Sequence, residues 1–264
     1  MKKTHLLYLI IIIAAIASCN TSTSTNQRKV LGVFGGMGPM ATAEFYKTLV
    51  TLTPATKDQE HIPTLIYSLP QTPDRTLSIK TGDTTIYKYL REGISMLEKN
   101  GAYCIVMPCN TVHHYYDYMC HQTKVPIINM IQEAVKEVSE KHKNLKKIGL
   151  LGTTATIKTR LYQDELEKAG FIVIVPNDSI QENCVMKAIY GIKAGTNHQL
   201  SEDLLAIAGN YVVAQGAELI VLGCTEIPLA FNKNRVTVEV IDPTIVLARR
   251  AIELYQKINS ANKI

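Results

Sequence analysis

Cys104-Ile-Val-Met-Pro-Cys-Asn-Thr111 and Leu219-Ile-Val-Leu-Gly-Cys-Thr-Glu226 are two versions of one phrase. Each is a short apolar run that ends in a cysteine, Cys109 or Cys224, with a threonine within two residues of it. Short β-branched apolar runs stopped by a turn-forming residue read as buried strands. Working outward, each phrase is preceded by another such strand ending in glycine: Val30-Leu-Gly-Val-Phe-Gly35 in the first half, Ile148-Gly-Leu-Leu-Gly152 in the second. Gly35 stands 74 positions before Cys109, and Gly152 stands 72 before Cys224. The chain therefore reads as two equivalent halves, each bringing one thiol to the same place.

The segments between these strands carry helical spacing. Pro39 suits a first helical turn and opens an amphipathic stretch from Met40 to Leu52. Ile86, Leu90, Ile94 and Leu97 mark a helix over 84–99, closed by Asn100-Gly101. Further helices are predicted over 130–142, 159–169, 181–194, 201–215 and 244–258, with strands at 64–69, 171–175 and 236–241. The segment holding Pro70, Pro73 and Gly82 reads as a loop. Strands separated by single helices predict an α/β fold, with parallel sheets covered by helices on both faces. Ligands in such folds bind beyond the carboxyl ends of the strands. Cys109, Cys224, the Gly35-Gly36 turn and the Gly152-Thr153 turn all fall there.

The 264 residues, 46% of them hydrophobic, suffice for a large core. The net charge of +5 is modest, and no arginine-rich stripe with interleaved aromatics appears, which excludes nucleic acid as a partner. Residues 1–19 read as a signal peptide: Lys2-Lys3 is a charged start and Leu6 to Ser18 is an apolar stretch too short to span a bilayer. It ends in Ile16-Ala-Ser-Cys19, similar to the lipobox of bacterial lipoproteins, in which the cysteine carries a diacylglycerol. Lipidation of Cys19 would hold the protein at the membrane surface of the cell envelope, through a flexible tether over 20–27. An ordinary cleaved signal peptide is the alternative, and an unprocessed leader would leave the protein in the cytoplasm. The six cysteines form no CxxC pair and no zinc-like cluster, so no metal site is read. Cys104, Cys120 and Cys184 read as small packing residues.

Inverting a stereocentre that bears a weakly acidic hydrogen needs a base on one face and an acid on the other, with roles that exchange in reverse. A thiol titrates near about 8.5, so modest tuning makes one partner a thiolate while the other keeps its proton. Two matched thiols at equivalent strand ends suit a racemase. Gly35-Gly-Met-Gly-Pro39 sits between strand and helix, where backbone N–H groups can face an anion. It lacks the spacing of a dinucleotide fingerprint. Asn110, Thr111 and Thr225 offer further donors beside the sulfurs. A second substrate carboxylate would need a cation, and Arg75 and Lys193 are available, although solvation at the surface is the default for each.

The strings GGMGPMATAEFY (35–46), DQEHIP (58–63), PQTPDRT (70–76), MPCNTVHH (107–114), LLGTTATI (150–157), YGIKAGT (190–196) and LGCTEIPL (222–229) resemble the aspartate racemases of the aspartate/glutamate racemase family. The resemblance runs from about residue 29 to the C-terminus. It implies two similar α/β lobes related by a pseudo-twofold, with the active site between them, in a homodimer that uses no cofactor such as pyridoxal phosphate. It implies Cys109 and Cys224 as the proton-exchanging pair, and Arg75 and Lys193 as holders of the substrate's side-chain carboxylate. Met37, Gln71, Asn110, Thr111 and Thr225 match pocket-lining positions. The implied lobes are 28–128, completed by 229–264, and 129–228. The substrate would be aspartate, or glutamate. Family members are generally cytosolic, so the leader is a departure. Thiols about 3.5 Å to either side of one carbon would stand roughly 7 Å apart, beyond the roughly 2 Å of a disulfide. A lipid-anchored amino-acid-binding protein and a one-base decarboxylase or isomerase on the same scaffold are the competing readings. Neither needs both thiols.

Overall fold

The computed structural model describes residues 29–261. Cys19, the leader and the tether lie outside them. In chain order the strands are β1 (Val30–Gly35), β2 (Thr64–Ser68), β3 (Ala102–Val106), β4 (Lys147–Gly152), β5 (Ile172–Ile174), β6 (Leu219–Gly223) and β7 (Glu239–Ile241). The helices used below are α1 (Pro39–Leu52), α2 (Arg75–Thr81), α3 (Ile86–Lys99), α4 (Tyr116–Cys120), α5 (Met130–Lys141), α6 (Thr154–Lys158), α7 (Gln163–Lys168), α8 (Asp178–Ile180), α9 (Lys187–Lys193), α10 (His198–Ala214) and α11 (Pro243–Ala261).

Two parallel sheets form, in the orders β2-β1-β3 and β5-β4-β6-β7. The equivalence of the halves extends to the sheet edge. A parallel bridge from Ile105 to Ile127 takes the place beside β3 that β7 takes beside β6. In each lobe the chain starts at the central strand, adds its next strand on one side, then crosses to the other. The crossing point lies between β1 and β3 and between β4 and β6, where open α/β sheets hold ligands. Cys109 and Cys224 follow the strands on the far side of those crossings.

Side chains alternate across each sheet, as a period of two requires. Leu31, Val33, Cys104 and Val106 face Phe45 and Leu49 of α1 and Leu247, Ala248, Ala251 and Ile252 of α11. Phe34, Ile105 and Met107 face the apolar stripe of α3, Ile86, Leu90, Ile94 and Leu97. In the second lobe Ile148, Leu150, Leu219 and Val221 pack with Ala134, Val135 and Val138 of α5. On the other face Leu151, Ile220 and Leu222 pack with Leu205, Ala208 and Val212 of α10.

Four expectations need correction. Residues 70–82 are not all loop: α2 starts at Arg75, because Asp74 accepts the Leu77 N–H, and stops at Gly82 in the left-handed conformation. The helix expected over 159–169 is shorter: α7 begins only at Gln163, and residues 159–162 form a turn after α6 in which Arg160 has φ 56°. Residues 239–241 pair with β6, so this part of the 229–264 segment belongs to the second sheet, while α11 packs on the first. Cys120 is exposed rather than packed, whereas Cys104 and Cys184 are buried.

Candidate active site

One small cavity between the lobes is lined by Met37, Asp74, Arg75, Thr76, Cys109, Asn110 and Thr111 of the first lobe, and by Thr153, Lys193, Cys224, Thr225 and Glu226 of the second. Its volume is about 10 Å³. An outer cleft of about 270 Å³ shares Asp74, Arg75, Lys193 and Glu226 with it, and is walled by Gly36, Gly38, Pro39 and Pro70. Both cysteines therefore line one chamber, each delivered by the loop that follows its strand. Gln71 is exposed and lines neither space, because Thr72 and Arg75 turn inward around it. The other residues named from the sequence, Met37, Arg75, Asn110, Thr111, Lys193 and Thr225 with the two cysteines, come together here.

The glycine-rich turn does a different job from the one its composition suggests. Gly36 has φ +90° and passes so close to Leu69 that a Cβ would lie 2.4 Å from its nitrogen. Its N–H is already taken by the Thr42 hydroxyl at 2.9 Å, which donates in turn to the Gly38 carbonyl at 2.8 Å. The turn thus spends this donor internally and offers a carbonyl instead. Arg75 Nη2 donates to Met37 O at 2.9 Å, and Nη1 donates to Pro73 O at 3.0 Å and Thr72 O at 3.2 Å. Three carbonyls fix the buried guanidinium and leave its Nε without a protein partner.

Asn110 is fixed from across the cleft. Tyr162 donates its hydroxyl to Asn110 Oδ1, so the amide nitrogen of Asn110 stays unpartnered beside Cys109. The Thr111 hydroxyl is not a free donor. It closes a ring with Thr153 at 3.0 Å and Thr156 at 3.1 Å, themselves 3.0 Å apart. In that ring each hydroxyl donates to the next, which joins the lobes without a charge. His113, fully buried, ties the Cys109 loop to α5: its Nδ1 meets Cys109 O at 2.9 Å and its Nε2 accepts the Met130 N–H at 3.1 Å. Burial holds its pKa below the usual histidine value, so the ring is neutral.

The two thiols have unlike neighbours. Cys224 Sγ donates to Glu226 Oε2 at 3.1 Å, and the Thr225 hydroxyl reaches the same oxygen at 3.4 Å. Burial, then the Glu226 carboxylate, pushes the Cys224 thiol well above its ordinary pKa, against the pull of Lys193. Desolvation on the cavity side lowers the pKa of Lys193, an exposed residue, but Glu226 and then Cys224 outweigh that and raise it. Glu226 is 3% exposed and was not singled out in the sequence. Its only sequence signal is its place two residues beyond Cys224. The sequence places the Gly152-Thr153 turn at a strand end without giving Thr153 a role, Asp74 and Thr76 flank Arg75, and Tyr162 reaches the site only through tertiary folding.

Residues 34–251 match the Asp/Glu/hydantoin racemase family. The chain is 29% identical to the broad specificity amino-acid racemase RacX of Bacillus subtilis, over 86% of this chain and 98% of that protein. The structure of Picrophilus torridus aspartate racemase superposes with a TM-score of 0.76 at 28% identity, covering 86% of this chain and 94% of the other. An aspartate racemase homologue from Pyrococcus horikoshii gives a TM-score of 0.68 at 28% identity, over 86% and 99%. Two parallel-sheet lobes, a shared chamber holding both thiols and a match over most of the length agree: the chain belongs to the Asp/Glu/hydantoin racemase family, as an amino-acid racemase.

Proposed function

We propose that the protein interconverts L- and D-aspartate by two-base proton exchange at Cα between Cys109 and Cys224. The observation that carries this reading is that Cys109 and Cys224, from opposite lobes, line one cavity together with Arg75 and Lys193. Cys224 keeps its proton, because burial and Glu226 both disfavour the thiolate. In one direction Cys109 removes the Cα hydrogen and Cys224 delivers its proton to the opposite face. The reverse direction exchanges the two roles. Arg75 and Lys193 take the side-chain carboxylate, which sets aspartate apart from neutral amino acids. The names of the similar proteins support an amino-acid substrate of this kind.

Incubation with L-aspartate in heavy water tests the proposal. Deuterated D-aspartate should form in wild type, and Cys109→Ser and Cys224→Ser should each lower that rate by at least about 100-fold, the scale of a lost acid or base. Unchanged racemisation in either variant would exclude the two-thiol mechanism. We propose a homodimer as the working assembly, which sedimentation equilibrium checks directly.

A further inference from the structure

Three buried polar atoms on residues that line the cavity have no protein partner: Nε of Arg75, Nδ2 of Asn110 and Oε1 of Glu226. Two are donors and one is an acceptor. Native interiors rarely leave such atoms unpaired, and each costs stability until something satisfies it. The set is the complement of an amino-acid zwitterion, whose carboxylates accept and whose ammonium donates. The donors therefore fall to carboxylates, and Glu226 Oε1 is the matching place for the positive end.

We propose that Glu226 Oε1 receives the substrate's α-ammonium group, and so selects α-amino acids over α-hydroxy and unsubstituted acids of the same length. The inference rests on the reading that the cavity takes an acidic amino acid, and it adds the element that recognises the amine. Glu226 divides its two oxygens between separate tasks. Oε2 is occupied by the Cys224 thiol and the Thr225 hydroxyl, which leaves Oε1 open. Gly38 keeps that side clear: a Cβ there would stand 3.0 Å from Oε1. Gly38 and Glu226 both wall the outer cleft, so a ligand arriving from solvent passes beside this residue on its way to the buried oxygen. The same carboxylate touches the Cys224 sulfur, so an ammonium held on Oε1 places the attached Cα next to one of the two sulfurs. Held as a full cation, the ammonium also makes the neighbouring Cα hydrogen easier to remove. Its electrostatic help needs no reorganisation during the reaction.

The test compares three ligands of equal length, aspartate, malate and succinate, by calorimetry on wild type and E226Q. Deuterium exchange at the Cα of aspartate is followed in the same preparations. Wild type should bind aspartate at least about 10-fold more tightly than malate, the scale of one charge-assisted hydrogen bond. E226Q should erase that preference while changing malate and succinate by less than about 3-fold, which also shows that the variant is folded. A retained preference in E226Q, or an equal loss of all three ligands, would overturn the ammonium site. Should E226Q not fold, the wild type decides alone, since equal affinity for aspartate and malate also overturns it. Absence of Cα exchange in a wild type that still prefers aspartate would instead strike at the racemase reading and leave the amine-binding role standing.

Discussion

Tyr162, in the second lobe, donates its hydroxyl to Asn110 Oδ1 in the first, 2.5 Å away and sealed from solvent. That bond decides which end of the amide faces the cavity. Tyr162→Phe removes it and leaves a buried acceptor unpaired, at a cost of about 1–3 kcal/mol in urea denaturation. With the amide free to turn over, KM for aspartate should rise by about 5–10-fold while kcat falls less. Equal KM in the two proteins would show that Asn110 needs no orienting partner.

Arg75 is anchored by the carbonyls of Met37, Thr72 and Pro73 rather than by an acidic side chain. Its positive charge is therefore not cancelled by a hydrogen-bonded carboxylate of the protein. Arg75→Ala should lower kcat/KM for aspartate by about 30–100-fold, from the loss of a charged hydrogen bond. The residual rate on alanine should barely move. Parallel assays on both substrates check this, and an equal fall would place Arg75 in general catalysis or folding.

The Thr111–Thr153–Thr156 ring carries contacts between the lobes. Thr111→Val keeps the shape and breaks both contacts that cross the cleft, for a loss of about 1–3 kcal/mol measured by equilibrium unfolding. Thr111→Ser should recover most of it, since the hydroxyl returns.

His113 gives the protein an acid-sensitive joint. Its folded pKa lies below the ordinary value of 6.5, first because of burial. The unfolded chain therefore binds the proton more readily than the folded one. The stability that this neutral ring contributes is complete above 6.5 and is lost as pH falls through the interval down to the depressed folded value. Denaturation midpoints of wild type and His113→Asn should converge on acidification from pH about 7.5 to about 5, as the wild type loses its advantage. A constant difference over that range would show that the ring is not the titrating group.

We propose lipid attachment at Cys19 on the strength of the Ile16-Ala-Ser-Cys19 sequence. Mass spectrometry of the membrane fraction should find a mature N-terminus at Cys19 bearing acyl chains. An intact Met1, or cleavage elsewhere, would refute it.

The alternation of strand and helix was legible because parallel strands covered on both faces are continuous apolar runs, as in Leu219–Gly223, and α3 repeats its stripe on one face. The two thiols were legible because strand ends are where such sheets present ligand groups. Helix α2 was obscured by Pro70 and Pro73, although its cap Asp74 and its terminator Gly82 both stood in the sequence. The turn at Arg160 depends on one left-handed residue that no composition signals. Tyr162 and Thr156 lie 52 and 45 positions from the first-lobe residues they bond. Such pairings are made by the docking of two lobes, which periodicity within either lobe does not describe. Glu226 was written beside Cys224 all along, but a carboxylate in a strand-end loop is ordinarily solvated. Only its burial turns it into a functional group.

The inner chamber between the two cysteines leaves little free space, about 10 Å³. An amino acid needs more room than that, so we expect the lobes to part as substrate enters and as product leaves. Opening then competes with the chemical step for control of turnover. An enzyme built this way would slow down in a viscous medium even when its substrate is abundant.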